Sequence, residues 1–176
     1  MAVSDLFFAH GTSDARSEFE STALVHAQSL LRFAQKTVRD RHRAEDLVQE
    51  TLLSAWRHFH QFRPGTNCRA WLFRILINAR NREFNRRRDL AEVVSIDEVQ
   101  MREPEKISAS TEIRSALDNL SSEHREVLML GVVEGFSIKE LASILAVPVG
   151  TVMSRLSRAR ARLRELLSPG ETMVGA

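Results

Sequence analysis

Four side chains in the first half of the chain are spaced for work on nucleic acid. Trp71, Arg74, Asn78 and Asn81 fall at i, i+3, i+7 and i+10, which puts them on one face of a helix. An indole, a guanidinium and two amides in a row can stack on and hydrogen-bond unpaired bases, which expose both their π faces and their Watson–Crick edges. Arg80, Arg82, Arg86, Arg87 and Arg88 add positive charge for a phosphate backbone. Just ahead, the loop Phe62-Arg63-Pro64-Gly65-Thr66-Asn67-Cys68 offers small polar groups that could accept an extruded base. Each feature also has a plainer use. An indole at such a spacing is more often core than platform, and Pro-Gly-Thr-Asn is more often a connector.

A second set lies near the C-terminus. Ser137-Ile138-Lys139-Glu140 has the form of a capping box, in which the Ser hydroxyl accepts from a backbone N–H and the Glu reaches back. Leu141, Ile144 and Leu145 then form one apolar face, Pro148-Val149-Gly150 breaks the chain, and Thr151 opens a second helix. Short helix, tight turn and second helix make the helix-turn-helix layout. On the second helix Val152, Leu156, Ala159, Leu163 and Leu166 fall within about 80° of one another and form a core stripe. Opposite them lie Ser154, Ser157, Arg158 and Ala161, with Thr151 and Arg155 toward one edge. Small residues permit close approach to a groove, and a guanidinium fork can read guanine or clamp phosphate. Arg160, Arg162 and Arg164 flank the stripe and suit phosphate contacts. Alone, an Arg-rich helix is as readily a solvated face or a surface for an acidic partner. The capped helix ahead favours duplex DNA.

A third face has a different character. Within Ala44 to Phe59, the residues Val48, Thr51, Leu52, Ala55 and Phe59 make a buried side, and Asp46, Gln49, Glu50 and Leu53 cluster opposite. Acids around an exposed Leu suit a protein-binding face; a solvated face with one stray apolar residue is the bland alternative. No spacing of His, Cys or carboxylates forms a nucleophile, an acid–base pair or a metal site. His58, His60 and Cys68 are too loose for zinc, so neither an enzyme nor a cofactor is expected. The single cysteine, Cys68, excludes an internal disulfide and is expected to be a neutral structural or exposed thiol.

The elements that must position these groups are helices. Apolar residues recur at three- and four-residue spacing over Leu24 to Val38, Leu47 to Phe59, Leu72 to Phe84 and from Ile113 onward, with a supporting helix over Leu120 to Leu130 ending near Gly135. No segment alternates with period two. The expectation is an all-α chain of two small helical domains, residues 1–90 and 112–168, joined by a flexible acidic linker over 91–111 and followed by a tail at 169–176. The formal net charge of +2 is too small for a general nucleic-acid coat, but it hides strong local bias. Residues 1–90 carry 15 basic and 10 acidic groups, residues 91–120 carry 3 and 7, and residues 121–176 carry 7 and 6. No apolar run reaches membrane-spanning length and no signal peptide is evident, so a cytoplasmic location without membrane partners is expected.

Taken in order, Ala44-Glu45-Asp46-Leu47-Val48-Gln49-Glu50, Gly65-Thr66-Asn67-Cys68-Arg69-Ala70-Trp71-Leu72-Phe73-Arg74-Ile75-Leu76-Ile77-Asn78, Gly135-Phe136-Ser137-Ile138-Lys139-Glu140-Leu141-Ala142 and Val147-Pro148-Val149-Gly150-Thr151-Val152-Met153-Ser154-Arg155-Leu156 closely resemble the extracytoplasmic-function sigma factors. The resemblance spans about residues 20–167. It implies a bacterial initiation factor that binds core RNA polymerase through the β′ and β subunits, directs it to promoters and helps open DNA. It also implies that Asp46, Gln49, Glu50 and Leu53 dock on the β′ coiled coil. Thr66, Asn67, Arg69, Trp71, Arg74, Asn78 and Asn81 correspond to the loop and helix that take unpaired -10 bases. Thr151, Ser154, Arg155 and Arg158 correspond to duplex -35 contacts, with Arg160 and Arg162 beside them. The acidic linker matches a segment threaded toward the RNA exit path. An anti-sigma factor is a further implied partner, and the Gly-Thr-Asn and Pro-x-Gly-Thr-Val-Met-Ser-Arg-Leu strings look most like the branch governed by zinc-containing anti-sigma factors. Many members carry Asp where this chain has Arg82. A regulator that binds duplex without polymerase, or a decoy that binds only an anti-sigma protein, leaves one or more of these faces without work.

Overall fold

The computed structural model describes residues 13–38, 40–91 and 109–168. The described residues are helical and contain no strand, and the chain divides into two units, Met1–Val94 and Ser95–Ala176. Of the linker expected over 91–111, residues 92–108 lie outside the described residues, while Ala109 already opens a helix. The tail at 169–176 lies outside them as well.

The first unit contains α1 (Ser13–Thr22), α2 (Ala27–Thr37), α3 (Arg41–Arg57) and α4 (Cys68–Ala91). α2 stops where Val38 turns extended, and α3 starts because Asp40, also extended, accepts a hydrogen bond from the Arg43 backbone N–H at 3.1 Å. That bond holds the Asp40 carboxyl below its usual range. α3 packs against both α2 and α4. The core is built from Leu30, Phe33 and Ala34 of α2, Leu47, Val48, Leu52 and Ala55 of α3, and Leu72, Phe73, Leu76 and Ile77 of α4. Phe33 and Phe73 meet edge to face with centroids 5.2 Å apart, the arrangement that ring quadrupoles favour. Each such fully buried side chain contributes about 1.5–3 kcal/mol over leaving it exposed. Thr51, the buried polar residue among those described, donates its hydroxyl to the Leu47 carbonyl at 2.7 Å. Phe84, which the spacing includes in the apolar pattern, is 66% exposed. At 24 residues α4 is longer than α2 or α3, and its buried stripe ends at Ala79.

The second unit contains α5 (Ala109–Asp118), α6 (Ser122–Leu128) continuing into a wide π turn (Met129–Val133), α7 (Ile138–Leu145) and α8 (Val149–Leu167). Arg125 joins the first two: its guanidinium donates to the carbonyls of Leu117 at 2.9 Å, Asp118 at 2.9 Å and Leu120 at 3.3 Å. It thereby adds donors to carbonyls at the end of α5 and in the turn that follows, where the Leu117 carbonyl also accepts from the Leu120 N–H at 3.2 Å. Gly131 sits in the π turn where an added Cβ would stand 3.2 Å from Leu141 Cδ1, so its lack of a side chain lets α7 come close. The capping box is present in full. Glu140 N–H donates to Ser137 Oγ at 3.3 Å and Ser137 N–H donates to Glu140 Oε2 at 2.8 Å.

The break between α7 and α8 falls earlier than the sequence suggests. Ala146 takes a left-handed conformation, φ 53° and ψ 42°, and ends α7. Pro148 is the N-cap of α8, its carbonyl accepting from the N–H groups of Thr151 at 2.9 Å and Val152 at 3.2 Å. α8 therefore begins at Val149 rather than Thr151, since Gly150 keeps helical geometry and proline's fixed φ suits a helix entrance. Val152, Leu156 and Ala159 are buried as the stripe requires, with Leu163 and Leu166 half-buried beyond them.

Candidate nucleic-acid and protein interfaces

The loop before α4 is more structured than a plain connector. Arg63-Pro64-Gly65-Thr66 closes with the Thr66 N–H donating to the Arg63 carbonyl at 3.2 Å, and Gly65 stands at φ +82°. Pro at the second position and a positive φ at the third are the marks of a type II turn. The Thr66 hydroxyl adds a 2.7 Å bond to the same carbonyl. Asn67 then caps α4: its Oδ1 accepts from the Ala70 N–H at 3.1 Å. Two of the loop residues expected at bases thus also hold the loop's shape.

On α4 the predicted face is real but uneven. Arg74, Asn78 and Asn81 are exposed, whereas Trp71 is half-buried against Phe62 at 5.3 Å and Phe59 at 6.4 Å. Phe59 continues the cluster to Phe19, which in turn meets Trp56. Trp71 therefore combines both readings of its indole, one part packed on an aromatic cluster and one part accessible. Arg74 makes no ion pair among the described residues, which leaves its guanidinium available. Asn81 Oδ1 accepts from Arg80 at 3.0 Å. Arg69 departs from the face: its guanidinium reaches back to Ser29 Oγ at 3.3 Å and lies 5.2 Å from the Phe73 ring centre. Burial and, secondly, the Arg69 charge hold the His26 imidazole below its usual pKa. Farther along, Glu83 pairs with both Arg87 and Arg86, and these bonds keep its carboxyl below the usual range. The arginine run at this end of α4 is partly neutralised from within.

The acidic face of α3 is also where expected. Asp46, Gln49 and Glu50 are exposed and Leu53 is half-buried. Together with Ser54, Arg57 and, from α4, Arg82, they line an open groove of about 360 Å³. Arg82 Nη2 lies 3.4 Å from Glu50 Oε1 across 32 residues of sequence. Sequence reasoning assigned Arg82 to the phosphate-binding set, and spacing along α4 alone could not show that its head turns toward α3.

On α8, Ser154, Ser157, Arg158, Arg160 and Arg162 are exposed, and Thr151 and Arg155 are half-buried. Arg158 and Arg160 have no ion partner among the described residues. Arg162 pairs with Glu165 at 3.0 Å, and Ser154 donates its hydroxyl to the Thr151 carbonyl at 3.0 Å. Arg155 is held by Glu123, a residue that helix-by-helix reading did not single out.

Among the described residues no cluster of three His, Cys, Asp or Glu side chains is placed to hold a metal ion, and no helix is long and apolar enough to cross a membrane. Cys68 is buried, and burial pushes its thiol up to about 11.

Comparison with known proteins meets this geometry unit by unit. Residues 24–89 match the family Sigma-70 region 2, and residues 110–163 match Sigma-70, region 4. The chain is 39% identical over 150 residues to the ECF RNA polymerase sigma factor EcfG of Rhodopseudomonas palustris (strain TIE-1), a match covering 82% of each protein. It is 32% identical over 178 residues to the RNA polymerase sigma factor CarQ of Myxococcus xanthus, covering 95% of this chain and 97% of that one. Among solved structures, the sigma factor RpoE from Bartonella quintana, crystallised with the anti-sigma factor NepR, superposes with a TM-score of 0.67 at 36% identity, covering 89% of this chain and 98% of that one. CnrH, solved with the cytosolic domain of CnrY, gives a TM-score of 0.63 at 28% identity and covers 94% of each chain. With region 2 on one helical unit, region 4 on the other and relatives matched across most of their length, the chain belongs to the ECF RNA polymerase sigma factors and is a transcription initiation factor.

Proposed function

We propose a division of labour over the named residues. Asp46, Gln49, Glu50 and Leu53 dock on the β′ subunit of core polymerase. Thr66, Asn67, Trp71, Arg74, Asn78 and Asn81 take unpaired -10 bases, with Arg69 holding the start of α4 from behind. Thr151, Ser154, Arg155 and Arg158 read the -35 duplex, and Arg160 and Arg162 clamp phosphates. The observation that carries this reading is the outer face of α8, where small exposed residues surround Arg158 and Arg160, both without an ion partner among the described residues. Small residues with available guanidinium groups suit a major groove, whereas a merely solvated helix gains nothing from unpaired like charges. The protein acts in the cytoplasm, without a membrane partner, and does no chemistry of its own.

An anti-sigma factor completes the partner set. The Gly65-Thr66-Asn67 and Pro148-Val149-Gly150-Thr151 strings support one of the zinc-containing class. A NepR-like partner is the second reading, favoured by the 36% identity to a sigma factor solved with NepR. The test of the function is promoter opening by core polymerase, reconstituted with this chain and a library of promoters. Opening at a defined subset is expected. Protection of duplex without polymerase, with no opening in its presence, would sink the proposal.

A further inference from the structure

The docking groove contains a charge that works against docking. Asp46, Gln49, Glu50, Leu53 and Arg57 recur at helical spacing along α3, and with Arg82 they line a groove that holds two exposed acids and two exposed arginines. A basic group of a partner that seats there can pair with Asp46 or Glu50. Glu50, however, already has a cation: Arg82 reaches over from α4 to 3.4 Å, lining the same groove. The pair is exposed, 67% for the Arg82 side chain and 58% for Glu50, so it adds little to the fold. Its effect falls on what approaches. An incoming Lys or Arg must share Glu50 with Arg82 and also meet the repulsion of a like charge beside it.

We propose that Arg82 is an internal competitor for the polymerase cation at Glu50, so that the chain carries its own attenuator of core binding on the docking face. This rests on the reading of that face as the β′-docking surface. The partner it fits is a basic protein surface, and its grip is set by how far Arg82 is displaced.

The test uses the full chain and core polymerase, with affinity measured by fluorescence anisotropy across a salt series. Arg82→Ala and Arg82→Gln should each tighten core binding by about two- to fivefold at low salt, the range expected of one exposed ion pair. The gain should fade as salt rises and vanish in a Glu50→Gln background. Unchanged melting checks that neither variant alters the fold. Weaker or unchanged binding by both variants, with Glu50→Lys still abolishing it, overturns the competitor role and leaves the docking face intact. Full core affinity in Glu50→Lys overturns the docking face and the competitor together.

Discussion

Nη2 of Arg155 and Oε1 of Glu123 stand 2.6 Å apart, tying α8 to the first turn of α6. The arginine side chain is 21% exposed and the glutamate 60%, so the pair restrains a half-buried guanidinium with a largely solvated carboxylate. A restrained fork loses less freedom when it forms a directional contact.

Glu123→Gln should therefore lower the ratio of matched to mismatched -35 duplex affinity by about two- to fivefold. Its affinity for mismatched duplex should rise, because one negative charge near the phosphates is gone. Anisotropy with the two duplexes at fixed salt measures both. An unchanged ratio would mean that Glu123 does not orient Arg155.

Arg158 lies on the exposed face of α8 and has no ion pair of that kind among the described residues. Arg158→Ala should weaken the cognate upstream element by about 1–3 kcal/mol if the guanidinium makes a bidentate base contact. Equal loss on every duplex, with a salt slope reduced by about one, would assign it to phosphate instead.

Ser137→Ala removes half of the capping box at the start of α7. The expected cost is about 1 kcal/mol, because the Glu140 N–H loses its acceptor at an exposed helix end. Thermal melting of the full chain should show an earlier transition for the C-terminal unit alone. Loss of both transitions would indicate coupling between the units.

With its thiol near 11, Cys68 has about one thiolate in a thousand at pH 8. Alkylation of the native chain should be slow, should speed up on unfolding, and should leave sigma activity insensitive to mild peroxide. The linkage has a definite sign. From pH 9.0, where an ordinary thiol ionises, up to about 11, the unfolded chain loses its proton first, so this group lowers stability as pH rises through that window. Cys68→Ala should flatten that part of the pH–stability curve; fast native alkylation at pH 8 would contradict the buried thiol.

What could be read from sequence divides by range. The Ser137–Glu140 box and the stripe of Val152, Leu156 and Ala159 depend on neighbours three to seven residues away, and both are present in the fold. Ala146 in a left-handed conformation is invisible to pattern, because alanine is a poor signal for positive φ, and the start of α8 is displaced with it. The residues that refine the faces are linked across greater distances: Arg82 to Glu50 and Arg155 to Glu123 over 32 positions, Arg69 to Ser29 over 40. Periodicity places a Cα on a face, and a long arginine side chain then chooses among several neighbours. Asn67 shows the complementary limit, since an amide that suits a base also suits a helix N-terminus, and the two uses look the same in sequence.

The turn at Arg63 to Thr66 changes where an entropy loss is entered. Pro64 fixes its own φ, Gly65 admits the positive φ that the turn needs, Thr66 closes it twice onto the Arg63 carbonyl, and Asn67 fastens its end to α4. Ordering those residues is completed when the chain folds, at about 1–2 kcal/mol per residue, and is not required again at the moment a ligand arrives. If this loop takes a base as proposed, the base meets a backbone already held by these bonds, and selectivity there would depend on shape more than on adaptation.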